Sequence, residues 1–73
     1  MKTYLKTVFN SSGQKPSAIH DALAGIGFSP MHGAHDFVYE WPSEASVEEI
    51  LGFGDQVHEA LHGTGVLFEM ETV

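Results

Sequence analysis

The stretch "FSPMHGAHDFVYEW", residues 28–41, decides the fold. Phe37, Tyr39 and Trp41 alternate with Asp36, Val38 and Glu40, the two-residue period of a half-buried strand. Ahead of them, Gly33-Ala34 suits a two-residue turn with glycine first. Residues 28–32 and 35–41 are therefore predicted to form a hairpin, with His32 and His35 as cross-strand neighbours. Pro30 has no N–H to give a ladder, so its strand belongs at a sheet edge.

Working outward, "TYLKTVF" (3–9) alternates with Leu5, Thr7 and Phe9 on one face and Tyr4, Lys6 and Val8 on the other. The loop "NSSGQKPS" follows, and from Ser17 the spacing turns helical through Ile19, Ala22, Leu23 and Ile26 until Gly25 and Gly27 stop it. Beyond the hairpin, Ser46 and Glu49 form a capping box. Val47, Ile50, Leu51, Gly54, Val57 and Leu61 make the predicted apolar stripe of a second helix, which ends at Gly63 and Gly65. "VLFEMETV" alternates again, with Val66, Phe68 and Met70 opposite Leu67, Glu69 and Glu71.

The order is β-α-β-β-α-β. Right-handed crossovers make this an α+β, ferredoxin-like sandwich: a four-stranded antiparallel sheet in the order 4-1-3-2, with two helices on one face. That order puts the Pro30 strand at an edge and Lys6 between strands bearing Glu40 and Glu69/Glu71. Residues 1–73 read as a single domain near the lower size limit for folding on a hydrophobic core alone. Tyr4, Val8, Val38, Leu67 and Val73 would stand on the helix-free face. That content is apolar enough to predict a homodimer or higher oligomer paired through this face.

Composition excludes several partners. Three lysines, no arginine and ten carboxylates give a formal charge of -7, and the lysines all lie within the first fifteen residues. Direct nucleic-acid binding and binding to an acidic membrane surface are both disfavoured. With no cysteine, no signal-peptide pattern and no long apolar run, a cytoplasmic location is expected. Protonating the five histidines would cancel five of the seven net negative charges, so any histidine-borne binding should change below about pH 7.

The same order places His20, His32, His35, His58 and His62 toward one end of the sandwich, where the "SSGQKPS" loop also opens. Ser12, Gly13 and Lys15 would offer backbone N–H groups and a cation there, beside His32, Gly33, His35, Asp36 and His58. These eight residues are the candidate ligand site, suited to a small anion. "HEALH" (58–62) has the helical spacing of a zinc peptidase motif, but Phe68 occupies the third-ligand position and no second domain walls a cleft. No cofactor is required by this reading; the metal alternative is zinc on His32, His35, His58 and His62.

The segment "HGAHDFVYEWPSEASVEEILGFGDQVHEALHGTGVLFEMETV" (32–73) resembles the second half of a RAM domain, the effector-binding module of the Lrp/AsnC family. It is also similar to GYD-type dimeric α+β barrels. Gly33, Asp36, Phe37 and Val38 match the opening of the pattern and Gly65-Val66 its later step. His35 stands where an aromatic is usual, and Thr72 is about one residue out of register. The resemblance implies dimers or rings that bind amino acids or similar molecules at subunit contacts. The leading expectation is thus a stand-alone, non-enzymatic, homo-oligomeric module that binds a small ligand or regulates. The enzyme alternative is a small dimeric-barrel enzyme using a histidine as general acid–base. Its nearest pair, His35 and Asp36, is adjacent on a strand and so points to opposite faces.

Overall fold

Alternation in the first strand sets the two faces of the sheet. In the computed structural model, which describes residues 1–73, β1 (Lys2–Val8) turns Thr3 and Leu5 into the core and Lys2, Lys6 and Val8 to solvent. It is followed by α1 (Pro16–Ala24), β2 (Ser29–Pro30), β3 (Phe37–Glu40), α2 (Val47–Leu61) and β4 (Leu67–Thr72). The strands form one antiparallel sheet in the order β2-β3-β1-β4. This is the ferredoxin-like α+β arrangement, with Pro30 on an edge strand where its missing N–H costs no internal bond.

Nine apolar residues make the core: Leu5, Ile19, Leu23, Phe28, Phe37, Phe53, Val57, Leu61 and Val66. The buried polar exception is Thr3, whose Oγ1 accepts from Trp41 Nε1 at 2.8 Å and shares a second bond, also 2.8 Å, with Thr72 Oγ1. That network ties β1, β4 and the end of β3 together and leaves the hydroxyl satisfied. Thr72 thus has a structural task. The exposed surface, 4818 Å², exceeds the roughly 4,450 Å² expected of a folded monomer of this mass.

α2 starts as its sequence predicts. Ser46 Oγ accepts from Glu49 N (3.1 Å) and Glu49 Oε1 from Ser46 N (3.0 Å), a complete capping box. Its inward face keeps Ile50, Gly54, Val57 and Leu61 of the predicted stripe but adds Phe53 and turns Val47 and Leu51 out. Phe53, Val57 and Leu61 are buried, whereas Val47 and Leu51 are 72% and 65% exposed. At 3.6 residues per turn the core-facing line lies roughly 60° from the predicted one. Phe53 brings a whole aromatic ring to Phe28, Tyr39 and Trp41, with centroids 4.4–5.3 Å away, and that packing decides the rotation.

Gly52 sits on the solvent side of α2, and a Cβ built there meets nothing within 4 Å. Gly52→Ala should therefore stabilise the domain by about 0.5–1 kcal/mol, because alanine confines the unfolded chain. Thermal unfolding checks this: the midpoint should rise by roughly 2–8 °C. A lower midpoint would mean that this side of α2 is occupied.

The hairpin is shorter than predicted. Pairing runs Ser29↔Val38 and Pro30↔Phe37, the last bond is Met31 N to Asp36 O at 2.9 Å, and His32, His35 and the turn lie beyond it. Gly33 has φ +112°, a conformation that favours glycine, but no backbone bond closes the predicted two-residue turn, and His32 and His35 are not paired across it: residues 32–35 form a four-residue loop. Asp36 still bonds to both neighbours, its O accepting from Met31 N and its N donating to Leu5 O (2.9 Å each), while its Oδ2 accepts from Thr7 N (2.7 Å) and Thr7 Oγ1 (3.2 Å). β1 likewise ends at Val8, leaving Phe9 43% exposed rather than in the core.

Candidate functional site

On the helix-free face, strand register arranges charge and apolar surface in rows. Lys2 faces Glu40, Lys6 faces Glu69, Tyr4 lies between Val38 and Glu71, and Val8 faces Leu67. Lys2 Nζ reaches Glu40 Oε1 at 3.4 Å; Glu40 is therefore the partner of Lys2 and not of Lys6. Val8, Leu67 and Val73 are 57%, 71% and 70% exposed. The face carries a basic central strand between acidic flanks, with unprotected apolar side chains at its corners.

His35 joins this face. Its ring stacks on Tyr4 with centroids 4.8 Å apart, and its Nε2 lies 3.3 Å from Glu71 Oε1. The ring thus lies over Tyr4 with its Nε2 edge toward the exposed Glu71 carboxylate. Asp36 is occupied with Thr7 and plays no part in this cluster. The acid beside His35 is therefore Glu71, thirty-six residues away in sequence and brought near by β4 pairing with β1.

The predicted anion loop is committed internally. Ser12 N donates to Asn10 Oδ1 (2.8 Å), Gly13 N to Asn10 O (2.9 Å) and Gln14 N to Thr64 O (2.9 Å). α1 begins at Pro16, which has no N–H, and Lys15 is its N-cap residue without a side-chain cap bond. Ser12 and Gly13 thus have no main-chain donor left for a ligand. Lys15 is exposed on this loop, and His32 and Gly33 are exposed on another, the β2–β3 hairpin loop.

The histidines sit at separate places. His20 lies against Asp21 (3.2 Å) with its ring 6.3 Å from that of Phe37. His35 is on the sheet face, His32 at the hairpin tip, and His58 and His62 on the flank of α2 with centroids 5.7 Å apart. Nowhere do three His, Asp or Glu side chains come together as a metal-binding group. The proposed His32/His35/His58/His62 set is therefore not one cluster; antiparallel topology fixes the end of an element but not the side from which its residues project.

Three shallow depressions, of about 360, 430 and 260 Å³, adjoin one another around Leu67. Lys6, Val8, Phe68 and Glu69 line the first, and Phe9, Asn10, Ser11 and Gly65 extend the second. Of the eight predicted ligand residues, only His58 borders a depression, the third one. Tyr4, Lys6, Leu67 and Glu71, none of them among the eight predicted ligand residues, stand together on the sheet face. Their signal was alternation: all four fall on the helix-free face, but only the register shows which stand side by side.

Comparison with protein-family models, with curated proteins and with solved structures found no match. No helix is long and apolar enough to cross a membrane.

Proposed function

We propose that the protein is a non-enzymatic, homo-oligomeric module whose helix-free sheet faces pair, with a small anionic ligand held at that contact. The observation that carries this reading is the face itself: exposed Val8, Leu67 and Val73 around an aromatic–histidine–carboxylate cluster, crossed by a basic strand between acidic ones. A laterally offset copy would set Lys2 and Lys6 against the acids of β3 or β4 while covering the apolar corners. A core of only nine apolar residues gives a further reason to gain burial by association. Lys6, His35 and the Tyr4 hydroxyl are the donors such a contact offers to a carboxylate or phosphate. The RAM and GYD resemblance supports the same reading, since in those domains small molecules bind at subunit contacts.

The test is sedimentation equilibrium of the untagged chain, with and without a panel of amino acids and small phosphates. A dimer or larger species is expected, and Val8→Glu/Leu67→Glu should weaken it at least tenfold, or about 1.4 kcal/mol. Both positions are exposed, so the variant should keep its helix signal. A chain that stays monomeric at about millimolar concentration, at which only a contact weaker than roughly 4 kcal/mol would escape, overturns the proposal.

The His35–Glu71 contact favours a second reading, an enzyme with His35 as general acid–base oriented by Glu71. It requires a rate that falls sharply in His35→Ala and less in Glu71→Gln. Equal activity in parent and His35→Ala would remove it.

A further inference from the structure

We propose that His58 and His62 form a two-imidazole site for a borderline divalent transition metal, Cu²⁺ ahead of Ni²⁺ and Zn²⁺. The site rests on α2 and does not depend on sheet pairing. Three observations bear on it. The rings are one helical turn apart, with centroids at 5.7 Å and planes inclined by 39°. Two imidazoles sharing an ion through bonds of about 2 Å have centroids roughly 4.5–6.5 Å apart, so the rings are already within range. Both side chains are exposed, and the imidazoles paired with carboxylates are those of His20 and His35, so His58 and His62 are not held in ion pairs.

The surroundings favour a cation. His58 is in the last turn of α2 and His62 is its C-cap residue, so an ion here meets the negative end of the helix dipole. The chain's charge of -7 adds a general attraction. Beside the pair lies the open depression of about 260 Å³ floored by Gly65, Leu67 and Phe68, which leaves the ion's other positions to water or an exchangeable ligand. With two protein ligands and no third nearby, this is a labile site, and the order of divalent affinities puts Cu²⁺ first.

The experiment is calorimetric titration of untagged, chelator-free protein with copper, nickel and zinc chlorides in a non-coordinating buffer. At about pH 7.5 one Cu²⁺ per chain is expected, bound more tightly than Ni²⁺ or Zn²⁺. His58→Gln and His62→Gln should each weaken Cu²⁺ at least as much as the roughly tenfold lost when mere supporting contacts of a ligand are removed. His32→Gln should bind as the parent does. Circular dichroism of each variant confirms that α2 is intact. Parent-level Cu²⁺ affinity in either the His58 or the His62 variant, or no saturable binding by the parent, would overturn the site.

Discussion

Leu5→Ala should lower the unfolding free energy by about 3–5 kcal/mol, a large share of the whole. A domain of this length has on the order of 4–11 kcal/mol in total. Leu5 lies on the central strand β1, is fully buried, and stands in register between Phe37 and Met70. Truncation there opens a cavity enclosed by sheet neighbours on both sides and by the helices above, so little can collapse into it. Urea titration followed by far-ultraviolet circular dichroism measures the change, with the midpoint falling and the slope held. Leu51→Ala provides the contrast. Periodicity places Leu51 in the apolar stripe, yet its side chain is largely in solvent, so its loss should change stability by no more than about 0.5 kcal/mol. Equal losses at Leu5 and Leu51 would mean that the orientation of α2 is wrong.

That contrast shows where the sequence was legible and where it was not. Element order follows from residue period, which switches between two and 3.6 and is punctuated by the capping box at Ser46 and the loop at Gly33. Pro30 alone sufficed to place its strand at an edge. The rotation of α2 was less accessible, because Gly52 and Gly54 dilute the periodic signal and Phe53 and Leu51 are comparably hydrophobic. The deciding contribution came from Phe28, Tyr39 and Trp41, which are distant in sequence and together form a seat for the Phe53 ring.

Register was the other hidden quantity. Alternation put Lys6, Glu69 and Glu71 on the same face, but a shift of two residues keeps every residue on its face and changes every partner. Hence Lys2 rather than Lys6 meets Glu40, and Glu71 rather than Asp36 meets His35. The four histidines offered as a metal set are not one cluster. Of the five histidines only His58 and His62 have neighbouring rings, because helical spacing is local and survives any error in the tertiary arrangement.

Gly13→Ala should cost about 1–3 kcal/mol, unusually much for an exposed position, where substitutions normally stay within about 0.5. A Cβ on Gly13 would overlap the Thr64 carbonyl oxygen and come within 3.4 Å of both Asn10 O and Gly65 Cα. The obstacle cannot easily retreat. Thr64 O accepts from Gln14 N at 2.9 Å, and Thr64 itself is anchored by its N–H and hydroxyl to Leu61 O. Moving Thr64 therefore loosens the end of α2, while moving Gly13 breaks its own bond to Asn10 O. The loop that sequence alone offers as an anion cradle is hydrogen-bonded as a clasp between the β1–α1 and α2–β4 connections. Denaturant unfolding of Gly13→Ala, paired with a phosphate titration of the parent, separates the two roles. A clasp gives a destabilised variant and a parent indifferent to phosphate at this loop. A variant as stable as the parent, with phosphate perturbing Ser12 and Gly13 amides in NMR spectra, would restore the cradle.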